Sequence, residues 1–111
     1  MMDKPYVNPK KSVYSVEFYQ SEPEKKFMDE LETDYKVSKW TKNHGIRIPY
    51  FNFDGHLAHY VPDFLVEYVD GMQEIVEIKG THMMNRITQR KTDAAREWCK
   101  KRNIKYRLIE V

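Results

Sequence analysis

Two carboxylates and one ammonium group interrupt the most strand-like part of the sequence, YVPDFLVEYVDGMQEIVEIKG at residues 60–80. Asp63 follows a proline at the start of one apolar run, and Glu77 and Lys79 end the next run. Side chains alternate between the two faces of a strand, so Glu77 and Lys79 share one face. Burying charged groups is costly, and their presence in these strands therefore indicates a function.

The turn between the two strands decides whether Asp63 lies on that same face. A two-residue loop at Asp70-Gly71 would place Asp63 on the opposite face of the sheet. A three-residue loop with Gly71 left-handed shifts the register by one position and places Asp63 directly opposite Glu77. We predict the three-residue loop, or a bulge near Pro62 that has the same effect.

Two opposed carboxylates repel each other, and something must offset that repulsion. Either one carboxyl group stays protonated with a raised pKa, or a divalent cation binds between the two oxygen ligands. Lys79 would neutralise part of the charge and assist a nucleophilic water or a developing oxyanion. Glu24, on the buried face of a predicted helix, is placed to add a third carboxylate. Such a cluster is suited to hydrolysis of a phosphodiester.

Each of these residues also has a structural explanation when it is taken alone. Glu24 is then best explained as part of a helix cap, and Asp63 as a turn residue. Glu77 and Lys79 would form an exposed ion pair on a half-solvated strand. The combination is more specific than its parts, because a helical carboxylate, a Pro-Asp pair at a strand start and a Glu-x-Lys at the next strand end occur together.

Changes in hydrophobic period predict the elements that position these residues. Residues 21–33 are predicted to form a helix, because Ser21 and Glu24 have capping-box spacing before an apolar face. A second helix is predicted at about residues 84–102. Strands are predicted at residues 12–20, 36–42, 72–79 and 104–111, and in two segments joined by a turn at Asp54-Gly55. The core order αβββαβ predicts an α/β fold, a central mixed sheet flanked by helices, with the last strand parallel to an earlier one through a right-handed crossover.

Composition limits the class of protein. The 111 residues suit one domain, and 41% hydrophobic with 32% charged residues is typical of globular proteins. No apolar run reaches the length needed to cross a membrane, and the one cysteine cannot form an internal disulfide, which fits a reducing cytoplasm. Residues 1–12 are polar and rich in Lys and Pro. We predict that they form a flexible lead-in to a domain at residues 13–111.

The C-terminal part of the chain is locally basic, although the formal net charge is only +2. From residue 86 onward, nine Lys or Arg face three acidic residues, which suits a phosphate backbone and equally suits a solvated helix face. Lys91 lies on the apolar stripe of the second helix. We favour the interpretation that it snorkels to the sheet edge over a contact with a DNA phosphate, for which Gln89 and Arg86 are further candidates.

Other residues give weaker signals. His56 and His59 have the spacing of zinc ligands but lack a second pair, so we expect no zinc site there. Cys99 is expected to be a buried or half-buried thiol. Four aromatic residues could stack on bases, although aromatic side chains in strands usually belong to the core: Tyr50, Phe51, Phe53 and Tyr60.

Taken together, the motifs resemble a known nuclease superfamily. Pro62-Asp63 followed by Glu77-Ile78-Lys79 is similar to the PD-(D/E)xK signature, and the element order resembles its restriction endonuclease-like core. The resemblance extends over most of residues 13–111, through the segments YQSEPEKKFMDEL, WTKNHGIRIPY, HYVPDFLVEY, EIKG and RKTDAAREWCKKRNIKYRLIE. These segments most resemble the C-terminal endonuclease domain of type III restriction enzyme Res subunits.

That resemblance implies a DNA endonuclease that uses Mg²⁺, for which Mn²⁺ can substitute. By the resemblance, Asp63 and Glu77 would bind the metal together with the carbonyl group of Ile78. Lys79 would be the catalytic lysine, and Glu24 the acidic residue contributed by a helix. We further expect a cytoplasmic location in a bacterium or a phage-infected host. A translocase, methyltransferase or specificity partner and a homodimer on DNA are expected as well, since cutting both strands needs two sites.

Two alternatives stay open. The sequence lacks the phosphate-binding G-x-x-x-x-G-K-[ST] loop of a complete Res subunit, so we expect an excised nuclease domain or a free-standing relative. Phage junction-resolving endonucleases and the endonuclease subunit of heteromeric transposases have the same layout of motifs. A catalytically inactive nucleic-acid-binding module of this fold is the second class, and the complete carboxylate–lysine set argues against it.

Overall fold

A computed structural model describes residues 3–111 of the chain. The strands, in chain order, are β1 (Lys4–Val7), β2 (Val16–Tyr19), β3 (Val37–Thr41), β4 (Ile48–Phe51), β5 (Leu57–Tyr60), β6 (Phe64–Tyr68), β7 (Gln73–Lys79) and β8 (Lys105–Glu110). The α-helices are α1 (Glu22–Thr33) and α2 (Arg86–Lys101), and a 3-10 turn covers Thr81–Met83.

The central sheet has four strands in the order β3-β6-β7-β8. β6 is antiparallel to both β3 and β7, and β8 is parallel to β7, so the sheet is mixed. With α1 before β3 and α2 between β7 and β8, the core has the predicted αβββαβ order. The predicted α/β fold, a restriction endonuclease-like sheet flanked by helices, is confirmed. The β4–β5 hairpin is an insertion between β3 and β6.

The two helices pack on opposite faces of the sheet. The core on the α1 face includes Phe27, Met28, Leu31, Phe64, Val66 and Val76. The core on the α2 face includes Ile48, Tyr60, Ile75, Ala95 and Cys99. Because side chains alternate along β7, Glu77 and Lys79 follow Ile75 onto the α2 face, whereas Ile78 follows Val76 onto the α1 face.

Both helices begin at a side chain that caps a free backbone N–H group. The hydroxyl oxygen of Ser21 accepts from the N–H of Glu24 at 3.3 Å, which confirms the predicted cap. Asn85 Oδ1 accepts from the N–H of Thr88 at 2.9 Å in the same way. These caps fix where α1 and α2 start.

The β6–β7 turn has the predicted three-residue loop. The N–H of Tyr68 donates to the carbonyl of Met72 at 2.8 Å, and Gly71 has a φ of +89°. The ladder pairs Phe64 with Val76, so the residue that precedes β6 lies opposite the residue after Val76. The register is therefore the one needed to bring Asp63 and Glu77 together.

The segment after the Asp54-Gly55 turn differs from the prediction. The sequence predicts one strand there, whereas the structure has β5 and β6 with a break at residues 61–63. Pro62 is fully buried and has no N–H group for a strand ladder. The chain therefore leaves the hairpin at this proline and enters the central sheet at Phe64.

Part of the segment predicted as a flexible lead-in is a strand. β1 pairs with β2, and the Tyr6 ring packs edge-on against Trp40 at 5.9 Å between centroids. The Tyr6 hydroxyl also donates to Asp29 Oδ1 at 2.6 Å. These contacts attach the segment to β3 and α1, and the strand predicted at residues 12–20 is shortened to β2. Residues 1–2 lie outside the described residues, and the boundary between lead-in and domain stays a prediction.

Within the described residues, neither α-helix combines the length and the apolar composition needed to span a membrane.

Gly71→Ala tests the turn that sets the register. A Cβ at this position would meet no atom within 4 Å, so the cost comes from the positive φ alone. We expect Gly71→Ala to lower the free energy of unfolding by about 1–2 kcal/mol, measured by urea denaturation. Gly71→Asn is the matched control and should cost less, because Asn tolerates positive φ. Equal stability of the Ala variant and the unmodified protein would contradict this turn geometry.

Candidate active site

Asp63 and Glu77 lie side by side at the carboxyl end of β7. The N–H of Asp63 donates to Glu77 Oε1 at 3.0 Å, and the N–H of Ile78 donates to Asp63 Oδ2 at 2.8 Å. Each carboxylate thus accepts a backbone hydrogen bond from the strand that carries the other. This reciprocal arrangement follows from the register, and it points both side chains to the α2 face.

Lys79 lies on the same face, two residues further along β7. Its Nζ is 3.7 Å from Glu77 Oε2, and its side chain is 27% exposed. Asp63, Glu77 and Lys79 line one wall of a cleft of about 370 Å³, and α2 contributes Thr88, Lys91 and Thr92 to the opposite wall. The structure therefore brings together the three residues that the sequence singled out, and it opens them to solvent on one side.

Burial and mutual repulsion make this pair hard to ionise. Burial, followed by the charge of Asp63, raises the pKa of Glu77 to about 7. Burial also raises the pKa of Asp63, although the N–H of Ile78 and the charges of Lys42 and Lys79 oppose that rise. Without a cation, the pair therefore retains a proton up to near-neutral pH.

The donor set fits a hard divalent cation. Glu77 and Asp63 offer carboxylate oxygens, and the carbonyl of Ile78 projects to the side of β7 on which Asp63 lies, since the N–H and C=O of a strand residue point the same way. All of these donors are oxygens, as Mg²⁺ prefers. In residues 3–111, no group of three or more His, Cys, Asp or Glu side chains forms a cation site by itself. Mg²⁺ commonly binds one or two carboxylates and takes its other ligands from water and phosphate.

Glu24 lies near the pair but does not join it. α1 packs on the opposite face of the sheet, and the Glu24 carboxylate forms an ion pair with Lys42 while accepting from the Ser21 hydroxyl at 3.3 Å. Its charge contributes to the raised pKa of Asp63, so it lies within electrostatic reach. The described residues hold no cation site built from three carboxylates, and the role of Glu24 as the third acidic residue stays a prediction.

Lys42 is a site residue that the sequence reasoning missed. Its ammonium group pairs with Glu24 and lies 5.3 Å from the centroid of the Phe64 ring. Phe64 directly follows Asp63 in the sequence. Its backbone N–H donates to the buried Glu17 carboxylate at 3.1 Å. Lys42 immediately follows a strand and belongs to no periodic pattern. The sequence therefore does not indicate its contacts, which are with residues of distant elements.

His44 is a second missed residue, and it uses both ring nitrogens. Nδ1 accepts from the N–H of Ile46 at 2.9 Å, so Nε2 carries the proton and donates to the Pro62 carbonyl at 2.8 Å. Burial lowers the pKa of His44, which keeps the ring neutral at neutral pH. His44 thereby fixes the backbone directly before Asp63.

The three residues predicted to contact DNA occupy different positions. Lys91 lines the cleft, and its ammonium group lies 5.7 Å from the centroid of the Tyr50 ring, so the choice between snorkelling to the sheet edge and a phosphate contact stays a prediction. Arg86 and Gln89 are exposed on α2 and line a neighbouring groove instead. The structure therefore divides the predicted DNA contacts between two adjoining surfaces.

The remaining sequence predictions have mixed outcomes. Tyr60 is buried, and Cys99 is 1% exposed with burial raising its pKa to about 11, so both core predictions are confirmed. The core interpretation is wrong for Phe51 and Phe53, which are 61% and 48% exposed, because the hairpin that carries them lies outside the central sheet. His59, for which no zinc site is expected, lines the cleft.

A protein-family model described as TnsA-like endonuclease N terminal matches residues 34–110, which is most of the chain. The matched span contains Asp63, Glu77 and Lys79, and it begins after Glu24. A search of curated proteins finds no match.

The raised pKa of Glu77 predicts that the metal-free protein loses stability as pH rises from about 4.5 to 7. In this window the unfolded chain has released the Glu77 proton while the folded protein still holds it, so deprotonation opposes folding. Glu77→Gln keeps an acceptor for the Asp63 N–H and removes the charge. In EDTA, we expect the variant to gain roughly 2–3 kcal/mol over the unmodified protein at pH 8 and much less at pH 4.5.

Urea denaturation at both pH values measures this difference. Glu67→Gln is the control, because Glu67 lies on β6 in an exposed ion pair with Lys39 at 3.6 Å and should give the same small change at both pH values. A Glu77→Gln gain that does not grow with pH would show that the carboxyl group is not forced toward its neutral form.

His44→Ala tests the backbone support of Asp63. The variant removes the partners of two backbone groups, the N–H of Ile46 and the carbonyl of Pro62. We expect a loss of about 1–3 kcal/mol in the free energy of unfolding. His59→Ala, in the exposed hairpin, should stay within about 0.5 kcal/mol of the unmodified protein. Equal effects of the two substitutions would contradict the positioning role of His44.

Proposed function

The chain belongs to the TnsA-like endonuclease N-terminal family, a restriction endonuclease-like family of PD-(D/E)xK type, and from this premise we propose that it is a metal-dependent DNA endonuclease of the transposon type. It hydrolyses phosphodiester bonds in the cleft between the Asp63 segment, β7 and α2. The observation that carries the proposal is the reciprocal hydrogen bonding that holds Asp63 and Glu77 together, with Lys79 on the same face. A core of this size gains nothing in stability from such a triad.

Asp63, Glu77 and the carbonyl of Ile78 would hold Mg²⁺, or Mn²⁺ in its place. When bound, such a cation polarises a phosphoryl oxygen and lowers the pKa of water. The two carboxylates ionise fully in its presence, because its charge removes their mutual repulsion. The cleft has a volume of about 370 Å³, and the partial exposure of Lys79 opens its wall to solvent.

Lys79 acts on the reacting phosphate. Its ammonium group is anchored by Glu77 at 3.7 Å yet remains partly exposed, so it can donate a hydrogen bond to a non-bridging phosphate oxygen or orient the attacking water. As water adds to phosphorus and the bond to the leaving oxygen breaks, negative charge grows on the phosphoryl oxygens. A fixed ammonium group stabilises that charge without reorganisation of solvent.

Glu24 and Lys42 act on the site from the other face of the sheet. Lys42 lowers the pKa of Asp63 and Glu24 raises it, so the two members of this ion pair act in opposite directions on that carboxylate. We assign both as positioning residues of the site. Glu24 would thereby act as the acidic residue contributed by the helix, through its ion pair with Lys42 and through the effect of its charge on Asp63.

The family match favours the transposon-type endonuclease, which the sequence left as an alternative, over a type III Res subunit. The closer likeness to Res subunits stays a prediction of the sequence. DNA as substrate, a homodimer on DNA and a partner that selects the target are part of the proposal. The cytoplasmic location likewise stays a prediction.

Nicking of supercoiled plasmid in Mg²⁺ or Mn²⁺ tests the proposal. We expect cleavage by the unmodified protein, none in EDTA, and a loss of at least about 100-fold in rate for Asp63→Asn and for Lys79→Ala. Lys39→Ala is the matched control, because Lys39 lies on β3 in an exposed ion pair and should not change the rate.

Metal binding gives an independent measurement. Mn²⁺ should raise the melting temperature of the unmodified protein and of Lys79→Ala, and it should not raise that of Asp63→Asn. Bound metal and bound DNA without any cleavage would support the inactive nucleic-acid-binding module instead. Full cleavage by Asp63→Asn would show that the named site is wrong.

A further inference from the structure

A second concave surface adjoins the cleft, between the β4–β5 hairpin and the first half of α2. We call it the hairpin groove, and its volume is about 580 Å³. Its main walls are Tyr50, Phe51 and Phe53 from the hairpin and Arg86, Gln89 and Arg90 from α2. One wall of the groove is the β4–β5 hairpin, which is an addition to the αβββαβ core because β4 and β5 form a separate two-stranded sheet.

Two guanidinium groups in this groove are fixed on one aromatic ring. The guanidinium carbon of Arg86 lies 4.8 Å from the centroid of Phe53, and that of Arg90 lies 4.3 Å from it. Arg90 also donates to the carbonyl of Phe51 at 3.3 Å. The two arginines are four residues apart, so they lie next to each other on the helix surface.

The two positive charges of this arrangement repel each other, and an anionic ligand would relieve that repulsion. Two like charges one helical turn apart repel each other, and the Phe53 ring that supports them is itself half exposed. Asp93 is the acidic residue of the groove, and Gln89 Nε2 donates to its carboxylate at 2.9 Å. Asp93 thus balances only one of the two positive charges. Rigid, exposed guanidinium groups are suited to binding phosphate oxygens.

The groove is continuous with the catalytic cleft. Lys91 lines the cleft and Tyr50 lines the groove, and the Lys91 ammonium group lies 5.7 Å from the centroid of the Tyr50 ring. On the hairpin, Pro49 of the groove is paired in register with His59 of the cleft. A nucleic acid strand that leaves the cleft along α2 therefore meets the groove next, with Lys91 at the boundary.

We propose that the hairpin groove binds the phosphodiester backbone of the DNA strand that flanks the scissile phosphate. Arg86 and Arg90 contact phosphate oxygens, and Phe53 holds their guanidinium groups in place. This proposal rests on the proposed function, because that function supplies DNA to the adjoining cleft. Contacts to phosphate fix the position of the strand without reading its sequence, so the groove sets where along the strand the cleft acts.

DNA binding in an uncleaving background tests the proposal. All variants carry Asp63→Asn in the complete chain, and a fluorescent 30-base-pair duplex is titrated at several salt concentrations. We expect Arg86→Ala/Arg90→Ala to weaken binding at least about tenfold and to lower the salt slope by about two, one for each lost phosphate contact. Phe53→Leu keeps both charges and should weaken binding less, with little change in the salt slope.

Arg102→Ala is the matched control. Arg102 is the C-cap residue of the same helix and also stacks on an aromatic ring, 3.9 Å from the centroid of Trp98, but it lies outside the groove. We expect it to retain the parent affinity. Circular dichroism and thermal unfolding verify that each variant is folded, and Arg86→Lys/Arg90→Lys, which keeps the charge, should restore most of the salt slope.

Several outcomes separate this proposal from the proposed function. If the double alanine variant binds DNA with the parent affinity and salt slope, the groove is not a DNA site, even when the unmodified protein cleaves plasmid. An equal loss in Arg102→Ala would also overturn it, because the effect would then be general charge. Loss of binding in the groove variants without cleavage by the unmodified protein would retain the groove and reject the endonuclease.

Discussion

The structure depends on a conflict between two carboxylates that the β6–β7 register places against each other. Asp63 and Glu77 are both largely buried, and burial raises the pKa of each, with the charge of Asp63 adding to the rise at Glu77. The backbone N–H groups of Asp63 and Ile78 offset part of this cost by donating to the opposite carboxylate. The geometry therefore persists in the absence of a cation, and a cation that binds there finds its ligands already in place.

Features of a few neighbouring residues predict this geometry, whereas the contacts that depend on long-range packing could not be predicted from the sequence. The positive φ of Gly71 is a property of one residue, and the two-residue alternation of strands is a property of a few, so register and face could be deduced from the sequence. The fold order followed from the same periodicities. Glu24 could not be placed in this way, because its helix stripe shows that it is buried and does not show which face of the sheet covers it.

The same reasoning explains the other differences. Lys42 and His44 lie in a short segment without periodicity, and their partners Glu24 and Pro62 are each 18 positions away in sequence. An aromatic residue in a predicted strand is expected in the core, whereas Phe53 is exposed because its hairpin forms a sheet separate from the central one. Support around a site comes from contacts between elements, and a single sequence does not contain those contacts explicitly.

The His44–Pro62 hydrogen bond links the inserted hairpin to the catalytic pair. His44 precedes β4 and Pro62 follows β5, so this bond closes the base of the hairpin. Pro62 is fully buried and directly precedes Asp63, whose own N–H is committed to Glu77. A displacement of the hairpin would therefore strain the backbone at Asp63. Because the hairpin forms one wall of the groove and contributes to the cleft, this bond and the packing of Ile48 and Tyr60 in the α2-face core together keep the flanking surface in a fixed relation to the carboxylates.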